Sequence, residues 1–74
     1  MLTLYSRPKC HLCHQAAALL REAGVEYREL DISGDPELEA EFGWEIPVLA
    51  DASGRVLLKG RFGDREVAAL TLGL

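Results

Sequence analysis

The first part of the chain carries the pattern of a strand, a helix and a second strand, and this pattern limits the fold most strongly. Residues 2–5 alternate between apolar and β-prone side chains, which predicts a short strand. Residues 11–23 predict a helix with one apolar stripe, ended by Gly24 in a left-handed conformation. Residues 25–30 predict a second strand, whose facing the pattern leaves open. This order predicts a parallel pair of strands joined by a right-handed crossover.

The remaining residues predict a short helix, two further strands and a last helix. Asp35 followed by Pro36 is typical of a helix start, and the short helix is expected over residues 37–42. The two strands and the hairpin turn between them are expected at residues 46–50, 56–58 and 51–54. Asp64 is expected to cap the last helix. The predicted order is β-α-β-α-β-β-α, an α/β fold with a four-stranded mixed sheet flanked by helices.

Length and composition exclude several classes of function. The chain has 74 residues, so we expect one domain over residues 1–74. A formal net charge of −4 argues against a nucleic-acid partner, for which a basic face is expected. No apolar run approaches the roughly 18 to 20 residues of a membrane span, and the N-terminus does not resemble a secretory signal. We therefore expect a cytoplasmic protein without a membrane partner, and a monomer.

The two cysteines, Cys10 and Cys13, lie where the first strand passes into the first helix. A disulfide between them would close a very short loop, so stabilisation is a poor explanation for the pair. Unpaired N–H groups at a helix start favour a thiolate, which makes Cys10 the expected nucleophile, with Arg7 and Lys9 adding positive charge. Cys13 is expected to be more buried, to stay protonated and to resolve a mixed disulfide on Cys10. His11 is expected either to stabilise the thiolate further or to be an exposed first-turn residue.

A C-x-x-C motif that opens the helix of a β-α-β unit is typical of thioredoxin-like redox proteins. The segment from Leu4 to Cys13 resembles the active-site strand and loop of glutaredoxins. The whole chain is similar to a bacterial and archaeal group of small glutaredoxin-like proteins, which share three further segments. Here these segments are Asp35–Leu38, Ile46–Val48 and Gly60–Phe62. The resemblance implies a minimal thioredoxin fold and a thiol–disulfide oxidoreductase that acts on protein disulfides without a tightly bound cofactor.

The resemblance also implies which residues bind substrate. Pro47 would follow a cis peptide bond and pack against the cysteine pair. Ile46 would offer its backbone N–H and carbonyl to an incoming peptide or to glutathione. Arg7 falls where glutaredoxins commonly carry a lysine that contacts the glycine carboxylate of glutathione. Asp64 falls near the acidic contact to the γ-glutamyl amine.

Two departures from the glutaredoxin pattern leave glutathione open as the co-substrate. Leu12 stands where an aromatic residue is usual within the motif, although it is still expected, with His11, to face substrate. Phe62 replaces one of the paired glycines expected before Asp64, and its side chain would narrow the groove for the γ-glutamyl group. Glutathione or another small thiol therefore remains a possible co-substrate.

A metal- or haem-binding carrier module is the alternative function. Residues 10–14 also match C-x-x-C-H, the attachment pattern of c-type haem, but Met1 is the only methionine and leaves no obvious second axial ligand. Zinc would have to use Cys10, Cys13, His11 and His14, which lie within five residues, whereas structural zinc draws ligands from two segments. We therefore expect no metal site.

Two further features have structural interpretations. Trp44 is expected to pack over the short helix rather than to line a substrate groove. Glu37, Glu39 and Glu41 are expected to form a solvated acidic face of that helix.

Overall fold

The computed structural model describes residues 1–72, which form four strands and three helices. In chain order these elements are β1 (Leu2–Ser6), α1 (His11–Glu22), β2 (Tyr27–Asp31), α2 (Pro36–Phe42), β3 (Val48–Ala50), β4 (Val56–Lys59) and α3 (Asp64–Leu72). The predicted fold class and element order are confirmed. The last two residues of the expected domain lie outside the described residues. Of the helices in the described part, none combines the length and the apolar character needed to cross a bilayer.

The four strands form one mixed sheet in the order β2-β1-β3-β4. β1 and β2 are parallel, as predicted, with Leu4 opposite Glu29. β1 pairs with β3, and β3 with β4, in antiparallel fashion. The chain enters α1 from the end of β1. The residues of the cysteine motif therefore lie beyond the C-terminal end of this central strand.

Two groups of buried side chains cover the two faces of the sheet. The large cluster joins the sheet to α1 and α3 and contains Leu4, Ala16, Ala17, Leu20, Val25, Leu49, Phe62 and Val67. The small cluster joins the sheet to α2 and contains Ile32, Phe42 and Val48. Neighbouring residues in β3, Val48 and Leu49, belong to different clusters because successive side chains of a strand point to opposite faces.

The end of α1 explains why β2 begins later than predicted. Gly24 has φ +74°, and its N–H donates to the Arg21 carbonyl at 3.1 Å. The N–H of Val25 donates to the Leu20 carbonyl at 3.0 Å, which completes a Schellman motif. The predicted left-handed glycine is thus confirmed, but Val25 belongs to the helix end, and β2 starts at Tyr27.

The starts of the other two helices test the predicted caps. The Asp35 carboxylate accepts hydrogen bonds from the N–H groups of Glu37 and Leu38, so the predicted cap of α2 is confirmed. The predicted cap of α3 is wrong. The Gly63 carbonyl accepts the first helical bond, and the Gly63 N–H donates to the Glu66 side chain at 3.0 Å. Asp64 is therefore the first residue of the helix and lies inside the cap.

Candidate active site

The side chain of Cys10 caps helix α1. Its sulfur accepts a hydrogen bond from the Cys13 N–H at 3.2 Å, while its own N–H donates to the Arg7 carbonyl at 3.3 Å. Its backbone is extended, with φ −101° and ψ 110°, as is usual for a capping residue. The first turn of the helix carries no acidic residue. Because Cys10 caps the helix, its sulfur lies at the positive end of the helix dipole, where negative charge is stabilised.

Cys13 is in a different environment, although it is only one turn away. It is fully buried, and both thiols are free. Burial, followed by the hydrogen bond with the Cys10 side chain, raises the pKa of the Cys13 thiol from 9.0 to about 12. The expectation that this cysteine is buried is confirmed, and the direction of the pKa shift favours a protonated thiol. The pair thus combines a capping, accessible sulfur with a buried thiol.

A polar contact between β1 and β2 was not predicted from the sequence. The Ser6 hydroxyl, on a side chain that is 2% exposed, donates to Oε2 of Glu29 at 2.8 Å. The negative charge of Glu29 also contributes to the raised pKa of Cys13. The register of β1 with β2 puts Glu29 opposite Leu4, on the face that α1 covers. The alternation of residues 25–30 indicated a strand, but it did not show which side chains face α1. The position of Glu29 could therefore not be predicted.

The guanidinium of Arg7 is held by helix α2. Its Nε donates to Oε1 of Glu39 at 3.1 Å, and its Nη2 pairs with the same carboxylate oxygen. Its Nη1 donates to the Gly43 carbonyl at 3.3 Å. The expected free positive charge beside Cys10 is therefore paired. The prediction that Glu39 belongs to a solvated acidic face is wrong, because its carboxylate binds the loop that precedes the cysteine.

The Ile46–Pro47 peptide bond is cis, as the resemblance implied, and Pro47 is buried. The expectation for Ile46 needs a correction. Its N–H donates to the Phe42 carbonyl at 3.1 Å, at the end of α2, and is not available to a substrate backbone. The same bond keeps Ile46 out of β3, which begins at Val48 rather than at residue 46. The contact between Pro47 and the cysteine pair stays a prediction.

The other predicted site residues are more scattered. His11 is exposed at the first position of α1, and Leu12 is half-buried beside it. Asp64 is exposed on α3, and within residues 1–72 no hydrogen bond or ion pair links it to the cysteine loop. Phe62 lies in the large cluster, so its side chain does not narrow a surface groove. Trp44 is 98% exposed, and the prediction that it packs over α2 is wrong.

The donors required by the carrier alternative are not brought together. Among the described residues, no three side chains of His, Cys, Asp or Glu come close enough to hold a metal ion. His11 and His14 are both exposed on α1. The alternative of a metal- or haem-binding module therefore has no support in the arrangement of these residues.

Comparison with known proteins identifies the family. A family model described as Glutaredoxin-like domain (DUF836) matches residues 1–70. The chain belongs to this glutaredoxin-like family. The resemblance stated from the sequence is thereby confirmed, and the membership indicates thiol–disulfide redox chemistry in general terms.

Solved structures of similar proteins share the architecture of this glutaredoxin-like chain. The X-ray structure of protein XcR50 from X. campestris is 36% identical, with 100% of this chain and 99% of that chain covered and a TM-score of 0.88. The solution structure of XcR50 covers 99% and 94%, with a TM-score of 0.81 and the same 36% identity. Protein Ne2328 from Nitrosomonas europaea is 24% identical, covers 93% and 87% with a TM-score of 0.72, and supports the fold alone. No curated protein matches the sequence.

Proposed function

We propose that this chain is a thiol–disulfide oxidoreductase that uses Cys10 and Cys13 to exchange electrons between a small thiol or a reductase and protein disulfides. The observation that carries the proposal is the asymmetry of the two sulfurs at one helix start. Cys10 is accessible and caps α1, whereas Cys13 is fully buried with a raised pKa. Dithiol exchange needs one sulfur that attacks the substrate and a second that stays protonated until the mixed disulfide has formed.

The reaction proceeds in two displacements. The Cys10 thiolate attacks one sulfur of the substrate disulfide, the S–S bond breaks, and the other substrate sulfur leaves as a thiolate that takes up a proton. The Cys13 thiol then loses its proton and attacks the Cys10 sulfur of the mixed disulfide. The second substrate sulfur leaves and is protonated. The substrate gains two electrons and the protein forms the Cys10–Cys13 disulfide, which a small thiol or a reductase reduces again.

The proposal requires no tightly bound cofactor. Glutathione is one candidate for the small thiol, and the structure changes what its binding would require. Arg7, expected to contact its carboxylate, would first have to leave Glu39 and Gly43. Ile46 would contribute its carbonyl, since its N–H is already bonded within the chain.

Substitution of each cysteine tests the two roles. Cys10→Ser should abolish reduction of a protein disulfide, because no other sulfur is placed to attack. Cys13→Ser should accumulate a mixed disulfide with one substrate chain, visible as a single mass addition by intact-protein mass spectrometry. His14→Ala is the matched control, since His14 is an exposed residue of the same helix and should leave turnover unchanged. Substantial turnover by Cys10→Ser would refute the proposal.

Alkylation of the reduced wild-type protein tests the asymmetry directly. At neutral pH, iodoacetamide should modify Cys10 and spare Cys13, as read by peptide mapping. The physical reason is that only a thiolate with access to the reagent reacts, and Cys13 has neither property. Equal rates of modification at both sulfurs would contradict the assigned roles.

A further inference from the structure

Arg7, whose side chain binds α2, also contacts the reactive cysteine through its backbone. The Arg7 carbonyl accepts the Cys10 N–H at 3.3 Å, so one residue carries both the guanidinium and a backbone contact to Cys10. Arg7 lines two surface cavities. One, of about 260 Å³, is also lined by Glu39, Gly43 and Trp44. The other, of about 340 Å³, is lined by Pro8, Lys9 and Ser33. A substrate that approaches Cys10 across this surface meets Arg7.

The guanidinium that such a substrate meets is electrically neutralised. Arg7 donates to the Glu39 carboxylate through Nε and Nη2 and to the Gly43 carbonyl through Nη1. A guanidinium has five N–H donors in a fixed plane, and its bidentate face matches one carboxylate. Glu39 already occupies the Nε and Nη2 side of Arg7, so the carboxylate of an incoming molecule competes with Glu39 for that side and is repelled by the Glu39 charge.

Gly43 gives a second, independent indication that this contact is built into the fold. A Cβ at Gly43 would overlap the Glu39 carbonyl oxygen and would lie 3.2 Å from Nη2 of Arg7. The absence of a side chain thus lets the guanidinium approach the end of α2 closely. Both acceptors of the guanidinium belong to this end of α2: the carboxylate of Glu39 in the seven-residue helix, and the carbonyl of Gly43, its C-cap.

We propose that Glu39 sets the substrate selectivity of the dithiol by holding the Arg7 guanidinium, so that disulfides bearing carboxylates are disfavoured relative to neutral ones. Glu39 acts here as a positioning residue, because it works through Arg7 and does not touch the reacting sulfurs. The inference rests on the proposed function. It names disulfides without carboxylates beside the S–S bond as the preferred class of substrate.

The test measures how fast reduced protein is oxidised in a single turnover by two small disulfides. Oxidised glutathione carries carboxylates, and hydroxyethyl disulfide is neutral. Glu39→Gln should raise the ratio of the two rate constants, glutathione over hydroxyethyl, about fivefold. The increase should shrink as salt is added, since it is electrostatic. Because each ratio is taken within one variant, a general loss of stability cancels.

Glu41→Gln is the matched control. It makes the same change of charge on the same helix, and within residues 1–72 the Glu41 side chain forms no hydrogen bond or ion pair. Its ratio should match that of the wild type. The double variant Arg7→Gln/Glu39→Gln should lose the increase, since the freed guanidinium is then absent.

Two outcomes would overturn the inference while the proposed function stands. One is an unchanged ratio in Glu39→Gln, and the other is an increase that persists in the double variant. Failure of the proposed function looks different: neither disulfide would oxidise the wild-type Cys10 and Cys13 pair.

Discussion

The two faces of the sheet hold their helices in different ways. Among residues 1–72, the large cluster under α1 and α3 has eight buried members, whereas the small cluster under α2 has three. The α2 face compensates with directed contacts. Tyr5 stacks on Phe42 with ring centroids 4.6 Å apart, and Arg7 pairs with Glu39. The helix that carries the cysteines is thus fixed by general apolar burial, and the helix beside them by a few specific contacts.

This difference bears on how the site is positioned. Apolar burial is insensitive to direction, so α1 keeps its place even when single contacts change. Regions with few buried apolar contacts open at lower free energy than the rest of a protein. The α2 side is therefore the part of the site in which one polar residue has the most influence, and Glu39 lies there.

The largest expected effect comes from truncating the same residue type on each face. Leu20→Ala, in the large cluster and fully buried, should lower the free energy of unfolding by about 3 kcal/mol. Leu38→Ala, partly buried against the small cluster, should lower it by about 1 kcal/mol. Urea denaturation of both variants measures the difference. Equal costs would break the comparison between the faces.

An intermediate effect is expected at the end of α2. Gly43→Ala forces a methyl group against the Glu39 carbonyl and should destabilise the protein by about 1 to 2 kcal/mol. Gly63→Ala is the comparison, because a Cβ there meets only the Glu66 side chain at 3.6 Å, so its cost should be that of alanine at a helix cap and stay below about 1 kcal/mol. Thermal unfolding of the two variants measures the difference in stability. A neutral Gly43→Ala would mean that α2 shifts without cost.

The smallest effect is a dependence of stability on alkaline pH under reducing conditions. Because the pKa of Cys13 is raised from 9.0 to about 12, the folded state holds this proton more tightly than the unfolded chain. The resulting stability is complete below the unfolded pKa and is lost as pH rises toward the folded value. Between about pH 8 and about pH 10 the free energy of unfolding should fall by about 1 kcal/mol.

Cys13→Ala is the control for that measurement, since lysine and tyrosine side chains titrate in the same range. The variant should show a shallower fall than the wild type in urea titrations at the two pH values. Parallel slopes would show that Cys13 is not the group responsible.

The sequence predicted the α1 face better than the α2 face, and the reason is physical. Burial on the α1 face follows from periodic apolar residues, and the end of α1 follows from Gly24, so both are visible in the sequence. The Arg7–Glu39 pair joins residues 32 positions apart and depends on how α2 lies against the loop. No local pattern distinguishes Glu39 from Glu37 and Glu41.

The candidate site divides in the same way. The placement of Cys10 and Cys13 follows from their spacing at a helix start, and the structure agrees. The Ser6–Glu29 hydrogen bond depends on the register of β1 with β2, which a strand of mainly polar residues does not reveal. The Ile46 N–H is engaged because α2 ends at Phe42, whose carbonyl accepts it. The exposure of Trp44 depends on how the elements pack around it, which the local sequence does not show.

The hydrogen bond from the Cys13 N–H to the Cys10 sulfur joins secondary structure and reactivity in a single atom. Sulfur is a weak acceptor when neutral and a stronger one when it bears charge. By thermodynamic reciprocity, any influence that tightens the opening turn of α1 around an anionic sulfur also favours that anion, by the same free energy. Fraying of the helix and loss of the anionic form of the sulfur are therefore two readouts of one coupled equilibrium.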